Sequence, residues 1–286
     1  MKYYLCWVGC WLWCLSLKAQ QDSLWTITLP DSLLVVQSRL PQYGMGQRYE
    51  RLDSVRLLPY QGQNLAQVLA LESSFFVKNY GPSGISTLSG RGGGASHTAV
   101  LWEGFDLQNP MLGQSEVALL PAAMIDYVDL QYGVGAARVG ISGLGGAILL
   151  GTQPLFGRGI WARGHASYGS FELFKQSLQL HYSRPNYVAS LRLLQQSARN
   201  NFWYTDRNAF GFPKPVRQQV HARTQQTSLL HEQAFRHRRQ EWRFKTWYQH
   251  HDRAIPATLL AQNSTDRQTD QSWRSTLQWR WLGDHG

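Results

Sequence analysis

The chain has no cysteine beyond position 14. Cys6, Cys10 and Cys14 all fall in the first few residues, so a product exported and trimmed behind them carries no thiol, and disulfides and thiolate metal sites are excluded from it. It also lacks the uninterrupted apolar run of ~20 residues that a spanning helix needs. Its first apolar stretch, Tyr3 to Leu17, follows a lone Lys2, closes on Lys18-Ala19 and meets polar Gln20-Gln21-Asp22 at once. That is the pattern of a secretion signal, with cleavage expected after Ala19. Val8-Gly9-Cys10 makes a poor lipoprotein signal, with bulky Trp7 ahead of it. Catalytic spacing is missing too. No Ser-His-Asp order, phosphate loop or metal-ligand pattern emerges, adjacent His250 and His251 would point to opposite faces of a strand, and His97 stands alone between Ser96 and Thr98. No enzymatic activity, metal or cofactor is expected.

What is present divides into two halves. The hydrophobic content of 43% is enough for a buried core and excludes disorder throughout. The formal charge of +10 is uneven: Met1 to Gln153 sums to −1, whereas Pro154 to Gly286 sums to +11. The basic half has no basic run longer than that in Arg236-His237-Arg238-Arg239 and spreads its cations along alternating segments, so nucleic acid is not the expected partner. Charges lining a wet lumen or meeting anionic lipid headgroups account for it better.

From Gln20 to about Glu50 the sequence is polar, with turn formers at Pro41, Gly44 and Gly46, and reads as an extended, mobile lead-in. Asn64 with Gln67 three residues on forms a capping-box pattern, and Leu65, Val68 and Leu69 follow at helical spacing. A short amphipathic helix to about Glu72 is expected. Strand candidates follow at Phe75 to Asn79, Thr98 to Glu103, Tyr127 to Tyr132 and Ala147 to Thr152, separated by glycine-rich turns.

After Gly157 the period becomes two. Trp242, Phe244, Thr246 and Tyr248 oppose Arg243, Lys245, Trp247 and Gln249, and Trp273, Ser275, Leu277, Trp279 and Trp281 oppose Arg274, Thr276, Gln278 and Arg280. Six strands are expected, at 160–169, 173–183, 187–198, 222–235, 240–253 and 271–282. Tight turns at Ser183 to Asn186 and Arg236 to Arg239 contrast with long segments at Arg199 to Val220 and Ala254 to Asp270. Short turns on one side and long loops on the other are the habit of outer-membrane barrels, although a soluble antiparallel sandwich also alternates.

The run Asn79 to Gly104, which includes Gly90-Arg91-Gly92-Gly93-Gly94, resembles the plug domain of TonB-dependent outer-membrane receptors. Leu107 to Gly113, Tyr132-Gly133 and Gly140-Ile141-Ser142-Gly143-Leu144-Gly145-Gly146-Ala147-Ile148 continue the resemblance in order and spacing. It implies an α+β plug domain followed by an incomplete antiparallel transmembrane β-barrel, about six strands of the family's ~22. The division is then a signal peptide at 1–19, an extended N-terminal segment at 20–50, the plug at 51–153 and the start of the barrel at 154–286. Arg91 would pair with acidic groups of the barrel wall and hold the plug in place. Gly90 stands where the family usually has an apolar residue, and Val139 where it has an aromatic.

Asp31, Ser32, Leu33, Leu34, Val35 and Val36 resemble a TonB box, an extended segment that pairs with a sheet edge of the energising protein TonB. Ligand-facing plug positions, by the same resemblance, are Asn79, Tyr80, Ser83, Ser86, Gln108, Asn109 and Met111. Phe202, Trp203 and Tyr204 in the first long loop suit either ligand capture or an interfacial belt. The expected function is TonB-energised uptake of a scarce nutrient of the siderophore, cobalamin or oligosaccharide class. The expected partners are TonB, that small-molecule or oligosaccharide ligand, outer-membrane lipid and a surface lipoprotein. A passive outer-membrane pore or surface-binding protein is the alternative. Six strands cannot close around a plug, so the chain is expected to be a fragment or truncated product.

Overall fold

A computed structural model describes residues 48–81, 84–109, 112–133, 145–207, 209–256 and 265–282. The candidate TonB box, together with Ser83, Met111, Val139, Gly140 and Gly143, lies outside the described residues.

The plug region contains β1 (Arg48–Leu52), β2 (Phe76–Asn79), β3 (Ser86–Ser89), β4 (Thr98–Trp102), β5 (Phe105–Asp106), β6 (Gln108–Asn109), β7 (Gln114–Ser115), β8 (Tyr127–Tyr132) and β9 (Gly146–Gly151). Its main sheet runs β1-β8-β9-β4-β5, and β2-β3 and β6-β7 are separate hairpins. Strands β4 and β9 pair in parallel, from Thr98 opposite Gly146 to Trp102 opposite Leu150. Parallel strands are covered on both faces and read as near-continuous apolar runs. Ala99-Val100-Leu101-Trp102 and Ala147-Ile148-Leu149-Leu150 have that character. Val100, Trp102, Ile148 and Leu150 enter the main core, while Ala99, Leu101 and Ala147 form a small cluster on the other face.

The helix Leu65–Glu72 packs Leu65, Val68 and Leu69 into that core. Its capping box is closed in both directions: Gln67 N donates to Asn64 Oδ1 at 3.0 Å, and Asn64 N to Gln67 Oε1 at 3.2 Å. A reciprocal cap satisfies two of the donors that a helix N-terminus leaves unpaired.

Strand β1 begins inside the stretch expected to be a mobile lead-in. It pairs antiparallel with β8, and Arg51 forms a two-pronged ion pair with buried Asp129 directly opposite, at 2.5 and 2.6 Å. Arg48, Tyr49 and Glu50 therefore belong to the plug sheet. Backbone pairing, this ion pair and Leu52, fully buried in the plug core, hold the strand.

The second region is an antiparallel meander of β10 (Gly159–Gly169), β11 (Leu173–Arg184), β12 (Tyr187–Ala198), β15 (Thr224–His237), β16 (Gln240–Ala254) and β17 (Arg267–Trp281), paired in that order. These are the six expected strands, with ends shifted by a few residues. A small hairpin of β13 (Trp203–Thr205) and β14 (Val216–Gln218) rises from the first long loop, where no strand was expected. The tight turns at 185–186 and 238–239 share one end of the wall with the segment leading in from the plug. The residues that leave β12 and β16, Arg199 and Ile255, and those that lead into β15 and β17, Arg223 and Asp266, share the other.

The two faces of this wall decide between membrane and sandwich. Lys175, His181, Ser190, Arg192, Ser228, Glu232, Lys245 and Gln249 are buried against the plug. Ile160, Tyr168, Phe174, Leu178, Leu180, Phe235, Trp242, Phe244, Trp273, Leu277 and Trp279 are exposed on the opposite face. A soluble sandwich would bury the second set and expose the first. Tyr182 and Phe174, both on the outward face of β11, stand eight residues apart, about 27 Å along the strand. With barrel tilt this suits an outward apolar band of about 25 Å.

Candidate functional site

The functional geometry lies where the plug meets the wall. Lys245 of β16 is fully buried and donates to Glu103 Oε1 at 2.5 Å and to the Thr152 carbonyl at 2.9 Å. Glu232, its cross-strand neighbour on β15, lies 3.5 Å away. Glu103 occupies the tip of the β4–β5 hairpin with φ +48° and also accepts from Gln278 Nε2 at 3.0 Å and Thr152 N at 3.1 Å. Arg192 of β12 reaches Asp126 at 2.5 Å, and Asp126 also accepts from Gln153 N at 3.0 Å. Nearer the long loops, Arg253 of β16 grips both oxygens of Glu116 while sharing Gln268 Oε1 at 2.7 Å. Burial nevertheless outweighs Arg253 and holds the Glu116 carboxyl above the usual carboxylate range. Bonds to plug carbonyls add to these: Lys175 Nζ to Gly62 O at 2.5 Å, and Gln226 Nε2 to Leu119 O at 3.0 Å.

Apolar contact crosses the same interface. Trp247 is the large inward aromatic of β16; it lies 5.2 Å from plug Trp102, ring to ring, and donates its Nε1 to Ser228 Oγ at 2.8 Å. Leu194 and Leu230 of the wall join the plug core with it.

Arg91 was expected to make the plug–wall ion pair. It is exposed, sits at φ +52°, and meets no carboxylate among the described residues. Its guanidinium lies over Gly133, with Nη1 2.8 Å from where a Cβ would stand, and Gly133 has φ +109°. The ion pairs that do cross run the other way, from cations on the wall to carboxylates on the plug. Their partners are 66 to 142 residues apart, and no local pattern marks them. Gly90 has a physical reason: a Cβ there would overlap the Gly145 carbonyl oxygen and touch Phe75. The apolar side chain usual in the family has no room in this chain.

The expected ligand-facing positions separate. Tyr80 is exposed with Lys78 Nζ 4.8 Å over its ring, and Asn79 accepts from Gly81 N at 2.8 Å. Gly84 in the same loop reaches a small cavity with Glu116, Thr224 and Asp270, which puts the loop at the long-loop end of the wall. Gln108 and Asn109 are half-buried and line a cavity of about 220 Å³ with Gln249, His251, Gln268, Asp270 and Arg274 of the wall. Ser86 is a correction: it is buried, in a strand whose first three residues are all covered. His97 Nδ1 accepts from Gly94 N at 3.2 Å.

A family model described as the TonB-dependent Receptor Plug Domain matches residues 49–147. The chain carries the plug of a TonB-dependent receptor. Solved receptors share its fold. The FrpB iron transporter from Neisseria meningitidis superposes with a TM-score of 0.63 at 16% identity, covering 85% of this chain and 38% of its own. The ferripyoverdine receptor of Pseudomonas aeruginosa gives 0.57 at 14%, covering 72% and 25%. The siderophore receptor PiuA from Acinetobacter baumannii gives 0.52 at 13%, covering 72% and 26%. No curated protein matches the sequence. The chain thus spans a quarter to two fifths of the length of these receptors, as a plug followed by the first strands of an incomplete barrel. Plug and outward apolar wall together place this receptor chain in the outer membrane, and its fold is one of transport receptors rather than enzymes.

Proposed function

We propose that this chain belongs to a receptor that imports a scarce nutrient through the outer membrane with energy supplied by TonB. The observation that carries the reading is a folded plug seated on the polar face of a wall whose other face is apolar. In this reading Asp31 to Val36 adds as a strand to an exposed sheet edge of TonB, and pulling on it reaches the plug through β1. Asn79, Tyr80, Gln108 and Asn109, with Ser83 and Met111, meet the ligand from outside, and a surface lipoprotein assists its capture. Arg91 pairs with carboxylates of a wall extending beyond these six strands. Iron chelates head the candidate ligands, because two of the receptors sharing the fold are named for iron or ferripyoverdine; cobalamin and oligosaccharides are the other classes. Deleting Asp31 to Val36 in the full-length receptor is expected to abolish uptake while leaving ligand binding intact. Uptake at an unchanged rate would refute energy coupling and favour a passive pore.

A further inference from the structure

The first long loop carries a chemistry that the plug–wall contacts do not use. Residues 199–223 contain five Lys or Arg against the single acid Asp206, together with five aromatics. Phe210 and Phe212 are almost wholly exposed, and Trp203, Val216 and Val220 are exposed beside them. Among the described residues the root of this loop borders a cavity of about 590 Å³ lined by Arg199, His221, Arg223, Gln225, Asp252 and Arg267.

The parity of the strands shows which way that cavity opens. On β15 the inward residues include Gln226, which bonds the plug, so Gln225 points outward. On β16 the inward set contains Lys245, Trp247 and Arg253, so Asp252 and Ala254 point outward; on β17 Gln268 is inward and Arg267 outward. Every lining residue from the wall strands β15, β16 and β17 therefore belongs to the outward face. A solute in the lumen does not reach it.

Its charge is positive. Arg267 neutralises Asp252 through two bonds of 2.5 Å, and Arg199 pairs with exposed Glu172 at 3.0 Å. Arg223 forms no ion pair among the described residues. Outward Tyr248 stands four residues below Asp252, about 13 Å along the strand. The cavity thus lies just outside the apolar band, at headgroup depth. Cations flanked by exposed aromatics are what binds the surface of an anionic bilayer.

We propose that this outward cleft, with Arg199 and Arg223 as its anion ligands and the β13–β14 hairpin as its apolar flank, binds a phosphate-bearing lipid headgroup of the outer leaflet. The hairpin would lie on the membrane surface and brace the external rim.

Native mass spectrometry of the receptor in non-ionic detergent tests this by counting bound dioctanoyl phosphatidic acid against dioctanoyl phosphatidylcholine at low salt. Retention of the first and not the second is expected. Arg199→Gln with Arg223→Gln should weaken it about 25-fold, roughly fivefold per charge removed, whereas Arg223→Lys should keep most of the binding. Both arginines are exposed and distant from the plug contacts, and an unchanged heat-dependent shift on electrophoresis confirms that the variants are folded. Equal retention of phosphatidic acid by the double variant, or equal retention of phosphatidylcholine by the native chain, overturns the proposal. So does full displacement by equimolar inorganic phosphate, which would mark a site for a free anion instead of a lipid.

Discussion

Replacing Lys245 by Met keeps most of the side-chain volume and removes one charge from the plug–wall interface. The ammonium is fully buried, and the side chains of Glu103 and Glu232 are 6% and 2% exposed, so the substitution leaves two carboxylates without their cation. Breaking a buried ion pair from one side is worth about 3–5 kcal/mol. At roughly 2–4 °C per kcal/mol for a chain of this size, the midpoint of thermal unfolding should fall by about 6–20 °C. The near-ultraviolet circular dichroism of Trp102 against Trp247 reads plug separation directly, because one ring belongs to the plug and the other to the wall. The structure also ranks the rescues. Glu103 keeps Thr152 N and Gln278 Nε2 as donors, whereas Glu232 Oε1 has no hydrogen bond among the described residues. Adding Glu232→Gln to Lys245→Met should therefore recover more stability than adding Glu103→Gln, by about 1–2 kcal/mol. A loss under ~1 kcal/mol, or the opposite ranking of the two rescues, would refute an interface held by this charge.

Two further outcomes follow from the plug itself. Gly90→Ala forces the new Cβ onto the Gly145 carbonyl, so we expect about 1–3 kcal/mol of destabilisation, checked by urea titration of the same dichroism signal; a neutral result would mean that the 145–146 backbone yields freely. Glu72 is held below the ordinary carboxylate range first by the Tyr60 hydroxyl at 2.5 Å and then by Arg56 at 2.7 Å. A depressed folded value means that its contribution is present above the unfolded value and is lost as pH falls through the folded one. Tyr60→Phe should shift the acid loss of stability to higher pH in melts taken between neutrality and about pH 3, and an unchanged acid limb would count against that hydrogen bond as the cause.

Features with a local physical period were legible in the sequence. Asn64 and Gln67 stand three apart, and the cap they form needs nothing else. The wall strands were legible because the bilayer and the plug impose opposite demands on alternate residues, as with outward Trp242 and Phe244 against inward Lys245 and Trp247. What hid was held by distant partners. Strand β1 is mostly polar, and Arg51 is explained by Asp129 and the Tyr127 ring across the sheet. The three-residue strands β13 and β14 gain their pairing across a ten-residue loop and carry no alternation long enough to show. Arg91 drew notice because it is flanked by glycines. Lys245, Arg192 and Arg253, which bind the plug, sit in strands where one more inward cation attracts none.

The charge asymmetry of the two halves has a structural cause. The near-neutral plug half directs Glu103, Asp126 and Glu116 at the wall, and the basic half answers with Lys245, Arg192 and Arg253. Such pairs fix the register of an interface whose apolar part, Leu194, Leu230 and Trp247 against the plug core, is less directional. Lys245 has a second partner in Glu232, which lies on its own wall and does not depend on the plug. Two further groups of cations stand apart from these pairs: one surrounds buried Glu241 at a tight turn through Arg236 and Arg243, at 2.6 and 2.5 Å. The other stands in the first long loop, where an outward-opening cleft and exposed aromatics point to the lipid surface. These groups of cations answer to plug carboxylates, to a carboxylate of the wall itself and, at the proposed lipid site, to phosphate.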